Sequence, residues 1–217
     1  MSEQNSRHGA VHLVDDDEGI RTLVVRVLAS VGLECVAWAG PAAFLAALPR
    51  YPVVEALIVD IRLAGMSGLE LVRELRERGI TAPVVFISGV NEVPVAVEAM
   101  KLGAHDFLTK PFSGQALIDT VQAAIRRHSA EADRDARTAQ ARELVARLSP
   151  RERQVFLSIV DGKANKVIAM DLGLSEKTVE EHRAHVMSKL AAGSVADLVK
   201  IAVVCGLCDP AAVSGRS

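Results

Sequence analysis

A short apolar run that ends in one carboxylate constrains the fold of this chain more than any other feature. Residues 56–59 are apolar at every position, and Asp60 follows them directly. Such a run is typical of a strand covered on both faces, as in a parallel sheet. Open α/β folds bind ligands at the carboxyl edge of the sheet, so Asp60 is predicted to lie at a functional rim. The alternative is that Asp60 simply caps the next turn, which is the commoner role of an isolated aspartate after a strand.

The same succession of strand and helix occurs five times in residues 9–126. Each apolar strand pattern precedes an amphipathic helix pattern, and glycines such as Gly32 and Gly79 stand at helix ends. The predicted strands cover residues 11–14, 34–38, a segment ending at 60, 84–88 and 106–109. This alternation predicts a doubly wound, flavodoxin-like α/β domain with a five-stranded parallel sheet.

The rest of the chain separates into a linker and a group of short helices. Residues 127–145 contain no glycine or proline and have high helix propensity, which predicts a helical linker. Residues 146–210 show four helix patterns, three of them preceded by a serine cap: Ser149, Ser175 and Ser194. A tight turn at Gly173 separates the second and third helices, as in a helix-turn-helix. An all-α, four-helix domain is therefore predicted.

Composition narrows the function classes. The chain carries a net charge of −2, but residues 146–217 alone carry +2, a balance compatible with nucleic acid. No apolar run approaches the ~18 residues of a membrane span. The first nine residues are polar, without a signal-peptide core, so a cytoplasmic protein with no membrane contact is expected. Cys205 and Cys208 have metal-ligand spacing, but a second pair is absent and a shared helix face explains them better.

Five polar side chains follow four of the predicted strands. Neighbouring strands would bring together the carboxylates of Asp15, Asp16 and Asp60, which repel one another unless a cation joins them. Mg²⁺ suits such oxygen ligands. Ser88 adds a hydroxyl and Lys110 an ammonium group. Together they have the groups needed for phosphoryl transfer to a carboxylate, with the cations neutralising charge on the moving oxygens.

The chain resembles two-component response regulators of the FixJ/NarL family, and FixJ-like ones in particular. The first part resembles a receiver domain through Val14-Asp15-Asp16, Asp60 with Gly68 eight residues on, Ser88-Gly89 and Phe107-x-x-Lys110-Pro111-Phe112. Residues 146–207 resemble a LuxR-type helix-turn-helix through Leu148-Ser149-Pro150-Arg151-Glu152-Arg153, Gly162-x-x-Asn165-Lys166-x-Ile168-Ala169 and Thr178-Val179-x-x-His182-Arg183. The resemblance covers nearly the whole chain.

The resemblance implies a role for each receiver residue. Asp60 would be phosphorylated by a partner sensor histidine kinase, and Asp16, Asp60 and the backbone carbonyl of Arg62 would hold Mg²⁺, with Asp15 acting through water. Lys110 would contact the phosphoryl group after a cis peptide to Pro111. Ser88 and Phe107 would form the switch pair. Phosphorylation would favour a homodimer through the face of helix four, strand five and helix five, or release of the DNA-binding domain.

One departure and two alternatives accompany this interpretation. The family usually has proline four residues after the aspartate, where this chain has Ala64, and the change removes no chemical group. A phosphatase of similar topology would be expected to have an aspartate two residues after its nucleophile, where this chain has Arg62. A protein-interaction module that no longer binds DNA is the other alternative, because Glu180 and Glu181 lie on the predicted recognition helix.

The predicted recognition helix, Glu176 to Leu190, has one apolar face and one polar face. Val179, Val186 and Leu190 share the inward face. An acidic residue such as Glu181 can accept a hydrogen bond from cytosine in the major groove, so it can contribute to specificity. The predicted contacts to double-stranded DNA are Lys163, Lys166, Lys177, Thr178, Glu181, His182, Arg183, His185 and Lys189. With so few cations per subunit, useful affinity would need two subunits on adjacent half-sites.

Overall fold

The structure is a computed structural model that describes residues 9–51, 53–89 and 93–208, without the side chains of residues 93–96. The chain divides into two compact units, Met1–Ala130 and Glu131–Ser217. The expected absence of a signal peptide concerns mainly residues 1–8, which lie outside the described part. The same is true of residues 209 and 210, the last two of the predicted C-terminal domain. No helix in the described ranges has the length and apolarity that crossing a membrane requires.

The first unit contains a parallel five-stranded sheet with strand order β2-β1-β3-β4-β5, which confirms the doubly wound prediction. Its elements are β1 (Ala10–Val14), α1 (Glu18–Ala29), β2 (Cys35–Trp38), α2 (Pro41–Ala47), a 3₁₀ turn (Leu48–Arg50), β3 (Val54–Asp60), α3 (Gly68–Glu77), β4 (Val84–Ser88), α4 (Val93–Lys101), β5 (Asp106–Thr109) and the first part of α5 (Gly114–Ala146).

The sheet is covered on both faces, which explains why its central strands are continuously apolar. One face packs against α1 and α5 through residues such as Leu28 and Leu117, both fully buried. The other packs against α2 and α3 through Phe44 and Leu71. Burial of one such side chain stabilises the fold by about 1.5–3 kcal/mol. With both faces closed, the carboxyl edge is left to carry the polar side chains.

The last helix of the first unit is longer than its apolar pattern suggests. The amphipathic pattern ends near residue 127, yet α5 continues to Ala146, so residues 127–145 form the second half of one helix. Most of these residues are exposed. A continuous helix is consistent with their composition, because helix propensity alone favours this state where packing does not decide.

The second unit is all-α, as predicted. It contains the end of α5 together with α6 (Pro150–Val160), α7 (Asn165–Leu172), α8 (Glu176–Lys189) and α9 (Val195–Val204). Ser149 and Glu152 form a reciprocal capping box at the start of α6. Gly173 ends α7 in the left-handed conformation, at φ 64°, which a residue without a Cβ adopts readily. The turn that follows places α8 directly after α7, and Phe156, Ile168 and Val179 lie in the shared core.

Candidate functional site

The carboxylates of Asp15, Asp16 and Asp60 meet at the carboxyl edge of the sheet. Asp15 follows β1 and Asp60 ends β3, and these strands are hydrogen-bonded neighbours. One oxygen of each of the three carboxylates lies within 4.8 Å of the others. Asp15 is fully buried and Asp60 is 7% exposed, whereas Asp16 is exposed to solvent. The structure therefore brings together the three acids that the sequence pattern singled out.

Lys110 joins two of these acids across the sheet. Its Nζ donates to Oδ2 of Asp15 at 2.9 Å and to Oδ2 of Asp60 at 2.5 Å. Its backbone N–H donates to the carbonyl of Ser88 at 2.7 Å, which anchors the end of β5 against β4. The Lys110–Pro111 peptide is cis, as the resemblance implied. The ammonium group thus neutralises part of the negative charge gathered at this edge.

Burial and charge act in opposite directions on these groups. Burial raises the pKa of Asp15, although hydrogen bonds from Lys110 and from the Asp17 backbone N–H oppose the rise. Burial also acts to lower the pKa of Lys110, but its bonds to Asp60 and Asp15 outweigh that effect and raise it. Lys110 therefore stays protonated at neutral pH.

In the segment after Asp60, the backbone at Gly68 returns close to the backbone of Asp60. The Arg62 N–H donates to Oδ1 of Asp60 at 2.9 Å, and the Gly68 N–H donates to the Ile61 carbonyl at 2.9 Å. A Cβ at Gly68 would lie 2.2 Å from the Asp60 carbonyl oxygen, so only glycine fits there. Ser67 and Glu70 form a capping box that begins α3 at this point. Ala64, where the family usually has proline, is exposed in the loop between β3 and α3.

Ser88 and Phe107 lie on adjacent strands near the acids. Ser88 ends β4, is fully buried, and donates its hydroxyl to the Gly89 carbonyl at 3.2 Å. Phe107 on β5 pairs with Phe86 in register. Its ring is half-buried and packs against the core shared with α3. The two predicted switch residues are therefore close to the site, with the ring in an intermediate state of burial.

The donor set fits a hard divalent cation. Three carboxylates converge, two of them buried and one facing solvent, which leaves room for the waters that Mg²⁺ usually retains. Such an acidic pocket is typical of a magnesium site. The backbone carbonyl of Arg62 remains a predicted ligand.

In the second unit, the two faces of α8 are as predicted. Val179 and Val186 are fully buried and Leu190 is 2% exposed. Residues 177, 181, 184 and 188 are all exposed on the opposite face. Of the other predicted DNA contacts, Lys166 and His185 are exposed, while Thr178, His182 and Arg183 are half-buried. The Ser175 and Thr178 hydroxyls are hydrogen-bonded to each other at 2.8 Å at the start of the helix.

Two of the predicted phosphate-contacting lysines form ion pairs inside the domain. Lys189 Nζ donates to Oε2 of Glu152 at 2.7 Å, and Lys163 Nζ donates to Oδ2 of Asp171 at 2.6 Å. Glu152 is only 4% exposed, and its bonds with Lys189 and Ser149 lower its pKa to about 2. Sequence reasoning assigned Glu152 to the capping box and missed its second role of holding α8. No local signal reveals a pair whose members are 37 residues apart.

Comparison with known proteins identifies the domain to which each unit belongs. Residues 11–122 match the response regulator receiver domain, and residues 146–202 match the luxR family of bacterial regulatory proteins. The chain belongs to the FixJ-like response regulators. It is 44% identical over 198 residues to the transcriptional regulatory protein FixJ of Azorhizobium caulinodans, covering 91% of this chain and 93% of that protein. FixJ of Rhizobium meliloti is 43% identical, with 90% and 96% covered.

Two solved structures of response regulators match this chain over most of its length. Full-length FixJ from B. japonicum is 37% identical, with a TM-score of 0.60 over 93% of this chain and 98% of that one. The response regulator StyR is 33% identical, with a TM-score of 0.72 over 90% and 99%. This FixJ-like protein is thus a two-component, DNA-binding transcriptional regulator and not an enzyme, which excludes the phosphatase and interaction-module alternatives. A sensor kinase and DNA are its implied partners.

Proposed function

We propose that Asp60 is the phosphoacceptor and that its phosphorylation switches DNA binding by the second unit. The observation that carries this proposal is the bridge from Lys110 to both Asp60 and Asp15 at the end of adjacent buried strands. A carboxylate oxygen of Asp60 attacks the phosphorus of a phosphohistidine on the sensor kinase. The phosphorus–nitrogen bond breaks and the electron pair leaves with the imidazole.

The residues around Asp60 are placed to stabilise this transfer. Lys110 offers its ammonium group to a phosphoryl oxygen, which costs little reorganisation because it already contacts Asp60. Mg²⁺ held by Asp16, Asp60 and the Arg62 carbonyl, with Asp15 acting through water, would neutralise charge on the same oxygens. The phosphoryl group adds about −1.5 to −2 charges at a place where both cations meet it.

The switch proposal starts from the positions of Ser88 and Phe107. The Ser88 hydroxyl leaves the Gly89 carbonyl and donates to a phosphoryl oxygen, and Phe107 completes its burial in the vacated space. The surface formed by α4, β5 and α5 changes as a result. On α4, Val97 and Met100 are 51% and 53% exposed, so this surface already offers apolar area for a second copy of the chain.

Paired receivers would hold two second units on one DNA duplex, with half-sites about one helical turn apart. In each, α8 would enter the major groove with Glu181 toward the bases. Because Lys163 and Lys189 are engaged in ion pairs, most phosphate contact per subunit would come from Lys166, Lys177 and Arg183. A cytoplasmic location follows from this proposal, since both the kinase's phosphodonor domain and the DNA must be accessible.

Mass spectrometry of the intact protein tests the phosphoacceptor assignment. With Mg²⁺ and a small phosphodonor such as acetyl phosphate, the wild type should gain the mass of one phosphoryl group. Asp60→Asn should abolish this gain, whereas Asp119→Asn, which changes an exposed carboxylate on α5, should leave it intact. Full labelling of the Asp60→Asn variant would show that another residue is the acceptor.

A further inference from the structure

Arg21 makes contacts that none of the assigned roles explains. Its Nη1 donates to the backbone carbonyl of Asp15 and to that of Asp16, each at 2.8 Å. The side chain is half-buried and starts from α1, one turn after the loop it binds. One guanidinium nitrogen therefore holds two consecutive peptide groups of the loop that carries two of the three acids.

The position of Arg21 near the start of its helix indicates that this contact has a role other than stabilising the helix. A cation near a helix N-terminus is opposed by the helix macrodipole, which favours acids such as Asp17 and Glu18 there. The Arg21 N–H makes the ordinary helical bond to the Asp17 carbonyl at 3.0 Å, and its side-chain bonds to the carbonyls of Asp15 and Asp16 show that the side chain reaches back over the helix start. A residue that breaks a local preference in this way is expected to serve a site.

Asp16 depends on this contact more than the other two acids do. The Asp15 carboxylate is fixed by Lys110 and by the Asp17 N–H at 2.8 Å, and Asp60 is fixed by Lys110 and by the Arg62 N–H. Asp16 is exposed, and the contact that the structure shows for it is its carbonyl bond from Arg21. Three like charges within 4.8 Å repel one another, so the backbone beneath the exposed one must be held in place.

We propose that Arg21 is a positioning residue of the metal site, which fixes the Asp15–Asp16 backbone so that the Asp16 carboxylate converges with those of Asp15 and Asp60 on the divalent cation. This inference rests on the proposed function of that site. Arg21 contacts backbone oxygens and none of the carboxylates, so it acts through loop geometry. Groups that orient metal ligands typically contribute 10–100-fold to affinity, and two shared backbone contacts correspond to the lower end of that range.

A positioning role and a purely electrostatic role of Arg21 predict opposite changes in Mg²⁺ affinity when the residue is replaced. If Arg21 acted as a nearby positive charge, its removal would strengthen Mg²⁺ binding, because like charges repel. If it holds the loop, Arg21→Gln should weaken Mg²⁺ binding about tenfold. Arg21→Lys should recover part of the loss, since one ammonium group can donate to both carbonyls. Arg26→Gln, on an exposed position of the same helix, is the matched control and should bind as the wild type does.

The experiment is a Mg²⁺ titration of the full chain followed by the fluorescence of Trp38, the only tryptophan. The Trp38 backbone carbonyl accepts from the Asp15 N–H at 3.1 Å, whereas its indole N–H donates to His12, so isothermal titration calorimetry measures the same Mg²⁺ affinity in parallel. The rate of phosphorylation by acetyl phosphate is measured in parallel. For Arg21→Gln it should be reduced at limiting Mg²⁺ and return toward the wild-type rate at saturating Mg²⁺, and far-UV circular dichroism should show an intact fold.

Each result decides between the hypotheses. Equal Mg²⁺ affinity in wild type and Arg21→Gln, tighter binding by Arg21→Gln, or an equal loss in Arg26→Gln would overturn the positioning role while leaving the proposed phosphoacceptor site in place. A wild type that neither binds Mg²⁺ at millimolar concentration nor becomes phosphorylated would overturn the metal site itself, and the inference with it. If Arg21→Gln does not fold, the Arg21→Met titration decides, because methionine keeps the aliphatic stem without a donor, and unchanged Mg²⁺ affinity in a folded Arg21→Met protein contradicts the role.

Discussion

Acidification below about pH 6.5 should destabilise the first unit through one buried histidine, His12. This residue lies in the middle of β1 and is fully buried. Its Nδ1 accepts a hydrogen bond from Trp38 Nε1 at 3.0 Å, and its ring packs against Phe44 and Tyr51. Nε2 is buried and has no hydrogen-bond partner in the described part of the chain. This apolar setting disfavours a charged imidazole.

The size of this loss of stability follows from the pKa of His12 in the folded protein. Burial lowers the pKa of His12 from 6.5 to about 4. As the pH falls below 6.5, the unfolded chain takes up the proton first, so stability is lost until the folded pKa is reached. The whole loss is about 3 kcal/mol, and about 2 kcal/mol of it should occur between pH 7 and pH 5. That is a large fraction of the 5–15 kcal/mol typical of a domain.

Urea unfolding at a series of pH values tests this expectation. Trp38 fluorescence reports on the first unit, and the free energy of unfolding is measured for the wild type and for His12→Asn, which keeps an acceptor near Nδ1 but does not titrate. The variant should be less stable at pH 7 because it leaves a cavity. The difference in the free energy of unfolding between the two proteins should narrow by about 2 kcal/mol by pH 5, because only the wild type loses the histidine contribution. Parallel curves for the two proteins would refute the reasoning, because every other titrating group is common to both.

Two further predictions concern partners. Met100→Glu should still be phosphorylated but should no longer form the dimer that a phosphodonor induces, as measured by sedimentation. The control Leu23→Glu, at a 43% exposed position on α1, should still dimerise. A Met100→Glu protein that dimerises normally would exclude the surface of α4, β5 and α5. Lys166→Ala should weaken binding to all DNA sequences and reduce the salt slope by about 1 in fluorescence anisotropy. Lys189→Ala should mainly lower the melting temperature, since it removes the ion pair of the buried Glu152. Unchanged affinity of Lys166→Ala at every salt concentration would remove α7 from the DNA surface.

Local patterns were sufficient to predict the elements of both units. An apolar run ending in a carboxylate located β3 and Asp60, and serine caps located the starts of α6, α8 and α9. These features succeed because backbone hydrogen bonding and the burial of one face are properties of a few consecutive residues. The convergence of Asp15 and Asp60 followed in turn, since parallel strands deliver their last residues to one edge.

The pairing of side chains from separate elements was decided only by the tertiary structure. Sequence periodicity assigns Lys189 to a polar face of α8, but its distance from Glu152 depends on how α8 packs against α6. The same reason explains why a phosphate contact was expected where an ion pair is found. The hydrogen bonds from Arg21 to two backbone carbonyls likewise depend on the path of the loop before α1.

The amino-acid sequence by itself therefore determined the alternation of strands and helices, the acidic edge and the presence of a helix-turn-helix. The tertiary structure decided which charges are already neutralised, which backbone carbonyls Arg21 binds, and that His12 is enclosed by aromatic rings. The physical reason is that side-chain electrostatics varies with distances of a few ångströms and with local burial. Those quantities are set by the packing of elements that are remote in sequence.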